Sequence, residues 1–397
     1  MDLKERIIAY IDAHTSIYRK IALDIHARPE VSNYEFFACE TLSEQLQKEG
    51  FEVKIDVAGH RTGFTAKYES KKPGPVLVFL AEYDALAGLG HGCGHNLFGA
   101  GTSLAAAGLK QVINEVGGEV RVYGTPGEEG GENGSAKASF VREGYFRDVD
   151  AALCAHPGTG PNILTDEAIA SAPVDIEFWG KAAHASGAPE KGLNALDGVI
   201  LTYNGINALR QHLTPDVRIH GIIVNGGDAP NIVPAYAKAR FYIRAATRPG
   251  RDEVYRRVDE IVNGAARMTG TKGRMQPYQN LVDNMVITPS FDAVFEREMK
   301  YLGERIEAPQ AGSKGSSDVG NVSQVIPTIQ PYLSISEEKL AAHSEEFKAA
   351  ACSEYGLRFV PLAAKSLALT ALDLILEPDT LAAIKAEHRR LVAEQVS

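Results

Sequence analysis

Cysteine is scarce in this chain of 397 residues, which has 4 of them. Cys39, Cys93, Cys154 and Cys352 are too few and too scattered for a disulfide framework. The opening Met1-Asp2-Leu3-Lys4-Glu5-Arg6 has no apolar core of the type that directs export. The expectation is therefore a reducing, cytoplasmic setting. Positive charge is also short: 41 Lys and Arg against 51 Asp and Glu leave a formal charge of −10. No basic block interrupts that balance, which sets aside nucleic acid as a partner, because phosphate binding depends on clustered Lys and Arg. Apolar runs fall well short of the length that spans a bilayer, so no membrane segment is expected. With 44% apolar and 23% charged residues, the composition is that of a soluble globular protein. The length suits two domains better than one core.

The best-defined stretch is Val76-Leu77-Val78-Phe79-Leu80-Ala81, an unbroken apolar run that reads as a strand buried in a parallel sheet. It is followed by Glu82-Tyr83-Asp84 and by His91-Gly92-Cys93-Gly94-His95. The same order recurs twice. Strand 119–124 runs into Thr125-Pro126-Gly127-Glu128-Glu129, and strand 151–155 ends in His156-Pro157-Gly158. Ligand-type residues at successive strand ends belong at the carboxyl edge of an open α/β sheet. Around this core, helices are expected at residues 2–25, 34–49, 99–110 and from Asp379 onward, and strands at 51–55 and 62–68.

From Pro173 the texture changes. Val174-Asp175-Ile176-Glu177-Phe178-Trp179 alternates and reads as a half-exposed strand. A helix carrying Leu196, Ile200, Tyr203, Ile206, Leu209 and Leu213 follows, then strands at 218–225 and 235–244 and a helix at 252–266. This β-α-β-β-α order describes an open-faced α+β sandwich inserted at 173–283. Residues 1–172 and 284–397 would form the catalytic domain, with a mixed, mostly parallel sheet flanked by helices. Its last stretch contains a Gly/Ser-rich loop, Gly312 to Asp318, and a late histidine, His343.

His91, His95, His156, His184 and His343 all sit beside glycine, small residues or loop breakers. Borderline-soft divalent ions accept thiolate, imidazole and carboxylate together. Cys93, His95, Glu129, His156 and His343 would supply five such donors, enough for two ions bridged by Cys93. In a paired Glu128-Glu129, one carboxylate can bind an ion while its neighbour works as a general base. A Cys93/His95 nucleophile pair is the rival arrangement, and it leaves the two acids without work.

Glu82-Tyr83-Asp84-Ala85-Leu86, Gly90-His91-Gly92-Cys93-Gly94-His95-Asn96, Gly124-Thr125-Pro126-Gly127-Glu128-Glu129 and Ala155-His156-Pro157-Gly158 together resemble the metal-dependent amidohydrolases of the aminoacylase/carboxypeptidase group, the M20 metallopeptidases. The resemblance runs from His26-Ala27-Arg28-Pro29-Glu30 to Ala342-His343-Ser344. Its Ser316–Ser323 block looks most like the branch of p-aminobenzoyl-glutamate hydrolase and dipeptidases that act on basic C-terminal residues. It implies Cys93, His95, Glu129, His156 and His343 as ligands of two divalent ions (Mn²⁺ or Zn²⁺, with Co²⁺ also suitable), Glu128 as general base, and Asp84 as the acid that orients a ligand. His184, in Gly180-Lys181-Ala182-Ala183-His184-Ala185-Ser186, would stabilise the oxyanion in a partner subunit's site, making the protein at least a homodimer through an inserted lid. Asn231 and Arg244 resemble the pair that binds a substrate carboxylate. One departure is Asn96, which stands where many relatives carry aspartate. The function so implied is hydrolysis of the amide bond of dipeptides or N-acyl amino acids. The alternatives are a non-catalytic peptide- or metabolite-binding homologue and a cysteine-dependent hydrolase.

Overall fold

The computed structural model describes residues 1–310, 312 and 314–395. It divides into two compact units, Met1–Glu167 with Met285–Ser397, and Ala168–Asn284. The chain opens with α1 (Leu3–Ala27), α2 (Phe36–Lys48), β1 (Glu52–Val57), β2 (His60–Glu69), β3 (Val76–Ala81), α3 (His95–Val116), β4 (Glu119–Gly124), α4 (Ala136–Arg142), β5 (Ala151–Leu153) and β6 (His156–Gly158). The second unit holds β7 (Ala170–Trp179), α5 (Ala195–Leu209), β8 (Arg218–Asn225), β9 (Tyr236–Ala245), α6 (Arg248–Thr269) and β10 (Lys272–Pro277). The first unit then resumes with α7 (Pro289–Tyr301), α8 (Val319–Ser323), β11 (Thr328–Ile329), β12 (Tyr332–Ser334), α9 (Glu345–Ala350), α10 (Phe359–Leu376) and α11 (Pro378–Glu394). Of the Gly312–Asp318 loop named above, Ser313 lies outside the described residues.

In the first unit a six-stranded sheet runs β1-β2-β4-β3-β5-β11. β4, β3, β5 and β11 pair in parallel, and β1 and β2 add an antiparallel edge. From β3 the chain builds β4 on one side and β5 on the other, so β3 marks the point where strand order reverses. Crevices form at that point, outside the carboxyl ends of the strands. The helices dock on this sheet for local reasons. α1 starts with a reciprocal capping box, Asp2 and Glu5 each accepting from the other's backbone N–H at 2.8 and 2.9 Å. It buries Ile7, Ile11, Tyr18, Ile21 and Ile25, a stripe at helical spacing within the helix expected at 2–25. α2 has no side-chain cap at its own first position. The Glu30 carboxylate accepts from the backbone N–H groups of Phe37 and Ala38, both at 3.1 Å.

One helix bears on the membrane expectation, and two other expectations need correction. The segment Gly356–Leu376 is long and apolar enough to cross a membrane by length and composition, with a mean hydropathy of 1.7. Its apolarity is met by protein instead: 72% of it is buried, and α10 packs against α1 and α3 in the core. His156 is not on a loop, because it opens β6, which pairs in parallel with β12. The ligand-bearing turn also ends sooner than expected, α3 beginning at His95 itself.

The second unit is an antiparallel sheet, β10-β7-β9-β8, with α5 and α6 packed on one face, where Val258 and Val262 of α6 join Val174, Ile176, Phe178 and Phe241 of the sheet in one core. β7 is buried along all but its last residue, not half-exposed. Its polar positions are shielded by ion pairs with long side chains. Asp175 binds Arg240 at 2.7 Å and Lys238 at 2.6 Å, and Glu177 binds Arg274 at 2.9 Å. Edge strand β10 escaped the sequence reading because Lys272-Gly273-Arg274-Met275-Gln276-Pro277 has neither an apolar run nor alternation. The first and last stretches of the unit are joined by a clasp in which Ser171 and Val282 exchange backbone hydrogen bonds of 2.8 and 2.9 Å.

Candidate metal centre

β3, β4 and β5 with β6 deliver their carboxyl-edge residues to one place in the first unit. Glu82 and Asp84 leave β3 fully buried. The following turn brings Cys93 and His95 against His156 because Gly94 adopts φ +77°, a conformation open to glycine, and a Cβ there would stand 2.9 Å from Pro157. The late segment closes the site from the far end of the chain. His343 takes φ 62°, a strained value for a non-glycine residue, and its backbone N–H donates to Gly92 O at 3.0 Å.

The donor atoms fall into sets that share one sulfur. Cys93, His95 and His156 have ligand atoms within 4.8 Å of one another, as do Cys93, Glu129 and His343. The imidazoles are oriented by their other nitrogens. His95 Nδ1 meets Asp84 Oδ1 at 2.9 Å, and His156 Nδ1 donates to Pro157 O at 2.7 Å, which leaves each Nε2 lone pair for the site. Asp84 has a second duty, its Oδ2 accepting from Glu129 N–H at 2.9 Å. His156 Nε2 lies 3.6 Å from Cys93 Sγ, and His343 Nε2 lies 3.3 Å from Glu129 Oε2. Glu128 reaches toward the same centre, with Oε2 3.9 Å from His95 Nε2.

These residues fit divalent ions. His95 Nε2 and Glu129 Oε1 are buried without a hydrogen-bond partner, a costly condition for bare protein that a cation removes. Burial, with His95 beside it, brings His156 down to about 4, so it is neutral and free to coordinate near pH 7. Burial together with Glu82 and Glu129 raises Glu128 well above the usual carboxylate range. Burial and Glu129 likewise push the Cys93 thiol well above its ordinary value. A bound cation reverses both trends by favouring the anions. The raised thiol also argues against a free nucleophilic cysteine, which needs the opposite environment.

Several neighbours carry no sequence signal. Lys137 on α4 is completely buried, with Nζ 2.7 Å from both Glu82 Oε1 and Asp318 Oδ1. Glu35 accepts from Thr62 Oγ1 at 2.7 Å and from Gly127 N–H at 3.0 Å, anchoring the loop before Glu128. Burial and nearby Asp84 push it up to about 8. Asn96 does not serve the ligands. Its Nδ2 donates to Ala22 O and Ala351 O at 3.2 and 3.1 Å, a tie between helices that aspartate cannot make. His91 is buried and lowered to about 3 by burial and by its neighbour His95, and it belongs to neither donor set.

His184, Asn231 and Arg244 belong to the second unit. His184 and Asn231 sit together, since Ala185 N–H donates to Asn231 O at 3.0 Å. His184 is exposed, and its Nδ1 accepts from Ser186 N–H and Gly187 N–H at 3.3 and 3.0 Å. The neutral ring therefore carries its proton on Nε2, ready to donate. Arg244 lies at the other end of the sheet. β9 pairs Tyr236 with Trp179 near His184 but Arg244 with Ser171, a separation of roughly 25 Å at strand rise. The expected Asn231–Arg244 pair thus does not meet within this unit.

Residues 170–269 match the peptidase dimerisation domain of the M20 family. The chain is 33% identical to the human Xaa-Arg dipeptidase, over 99% of this chain and 93% of that protein. It is 31% identical to one of the subunits of the Escherichia coli p-aminobenzoyl-glutamate hydrolase, over 97% of this chain and 94% of that one. In fold it resembles a dinuclear metal-binding M20 peptidase from Bacillus subtilis, with a TM-score of 0.64 and 19% identity over 91% of this chain and 99% of that one. The thiol–imidazole–carboxylate cluster and this end-to-end similarity lead to one conclusion: the chain belongs to the M20 family of metallopeptidases.

Proposed function

We propose that the protein hydrolyses the amide bond of dipeptides or N-acyl amino acids that carry a free carboxylate, using two divalent ions held by Cys93, His95, Glu129, His156 and His343. The observation that supports this most is the membership of Cys93 in both donor sets, with Glu128 outside them. Bound there, the ions would acidify a water and polarise the scissile carbonyl. Glu128 takes the proton of the attacking water and returns it to the leaving amine. Asp84 holds the His95 ring and the Glu129 backbone in register. The donor mix suits Mn²⁺, Zn²⁺ or Co²⁺. Dialysis against a chelator is expected to remove activity on N-acyl amino acids, and any of these ions to restore it. Activity that survives chelation and is lost on thiol alkylation would instead favour the cysteine-dependent reading.

A cavity of 640 Å³ beside the centre includes Gly158, Asp166, Glu307, Tyr332 and Glu337 in its walls, and the Tyr332 ring packs 5.1 Å from that of His156. Lys314 is already paired with Asp166, at 2.5 Å. This leaves Glu307 and Glu337 against Lys339, a balance that supports a basic substrate side chain, as the name of the Xaa-Arg relatives also does. A dipeptide panel ending in Arg, Lys, Glu and Leu is the direct measurement.

We also infer that a second copy docks on β8. This edge strand exposes Ile222, Ile223 and Val224 by 65%, 45% and 51%, a combination of open backbone and apolar side chains that invites pairing. Replacing Ile222 and Val224 with Lys is expected to turn a dimer into a folded monomer by light scattering. Arg244 lies near the last end of β9 and the His184–Asn231 pair lies on loops beyond its first end, so one copy can supply Arg244 to one site while His184 and Asn231 serve another.

A further inference from the structure

Glu82 has no place in the ligand set above, yet it is fully buried beside the centre. Its Oε2 lies 3.1 Å from His95 Nε2, and neither atom has a hydrogen-bond partner. His95 already directs Nδ1 to Asp84; burial opposes its charge, but Asp84 and Cys93 hold it well above the ordinary imidazole value, so in the metal-free protein Nε2 carries a proton toward the Glu82 carboxylate. A divalent ion would displace that proton and be shared by the imidazole and the carboxylate, two donors already at ligand-pair distance. Lys137 does not fill that role, because its Nζ sits on the other oxygen, Oε1, and is shared with Asp318. Two carboxylates on one ammonium leave a net negative charge, and the free oxygen faces the site. Glu82, His95 and Glu128 also place donor atoms within 4.8 Å of one another.

We propose that Glu82 is a ligand of the ion held by His95, through Oε2, and that Lys137, braced by Asp318, is the positioning residue that holds its carboxylate. This rests on the metal-centre reading and adds a carboxylate to the Cys93–His95–His156 side. It also explains why Asp318, in the Ser316–Ser323 block, is buried where it is. Its two oxygens receive Lys137 Nζ at 2.7 Å and Lys137 N–H at 3.0 Å.

The test is ion binding by Glu82→Gln, a substitution that keeps shape and leaves Lys137 paired with Asp318. Metal-free wild type and variant should have the same circular dichroism and similar melting temperatures. Titrated with Zn²⁺ against a chromophoric chelator, wild type should take up two ions. The variant should hold one of them normally and the other weakened by roughly 10- to 100-fold or more. Loaded with Co²⁺, it should show altered d–d bands while keeping the thiolate absorption of Cys93. Two ions bound with wild-type affinity would overturn the assignment while leaving the metal centre standing. A wild type that binds none would overturn both. Should Glu82→Gln fail to fold, Glu82→Asp keeps the charge opposite Lys137 but withdraws the carboxylate by one methylene, and it is judged by the same titration.

Discussion

Glu128→Gln should lower kcat on the order of 10²- to 10⁴-fold with both ions still bound. The amide has nearly the shape of the carboxylate but cannot accept the proton of water, so the loss falls on chemistry and not on assembly. Glu128 lies outside both donor sets that share Cys93; its atoms also stand within 4.8 Å of those of Glu82 and His95, but the amide keeps a neutral oxygen in that place, so ion content is expected to stay near the wild-type level. Its surroundings make it a strong base for a carboxylate. Burial, Glu82 and Glu129 all raise its proton affinity, and the ions set a limit on that rise. The paired measurements are metal content by plasma emission and kcat on an N-acyl amino acid. Ion loss equal to the rate loss would make Glu128 a ligand, and turnover near wild type would remove it from the reaction.

His184→Ala is expected to reduce kcat on the order of 10²- to 10³-fold, the effect of losing one donor to a developing oxyanion, worth about 3 kcal/mol. The ring is suited to that role by the two backbone N–H groups at Nδ1, which direct the remaining proton outward on Nε2. The side chain is exposed in its own unit, so the substitution should leave the melting temperature unchanged. The decisive experiment mixes His184→Ala with Glu128→Gln after dissociation and reassembly. If the histidine acts across the dimer, each mixed dimer regains one complete site and activity returns. Mixed dimers that stay inactive would place His184 in its own subunit's reaction.

Much of the first unit was legible because its signals are local. β3 is bounded by an unbroken apolar run and β4 by a short Val-Arg-Val-Tyr stretch ending at Gly124, and each strand end displays its ligand-type residues in plain order. Neither the Lys137–Asp318 pair nor the hold of Glu35 on Gly127 was legible. Lone polar residues acquire meaning only when the fold brings partners from distant segments to them, and no periodicity announces that meeting. β7 misled for a related reason: Asp175 and Glu177 looked like solvent-facing positions, but Arg240, Lys238 and Arg274 cover them. The family resemblance suggested that Asn231 and Arg244 are two arms of one grip. An extended strand between them turns that short stretch of sequence into most of the length of a sheet.

The clasp at Ser171 and Val282 makes the inserted unit a cassette. Its two ends are stapled side by side by backbone hydrogen bonds, and Arg251 reinforces the staple by donating to Val282 O at 2.7 Å. A segment whose ends meet can be lengthened, exchanged or removed with only a short splice in its host. Such modularity would let the proposed docking surface on β8 diversify while the strand ends that carry the candidate ligands are left untouched.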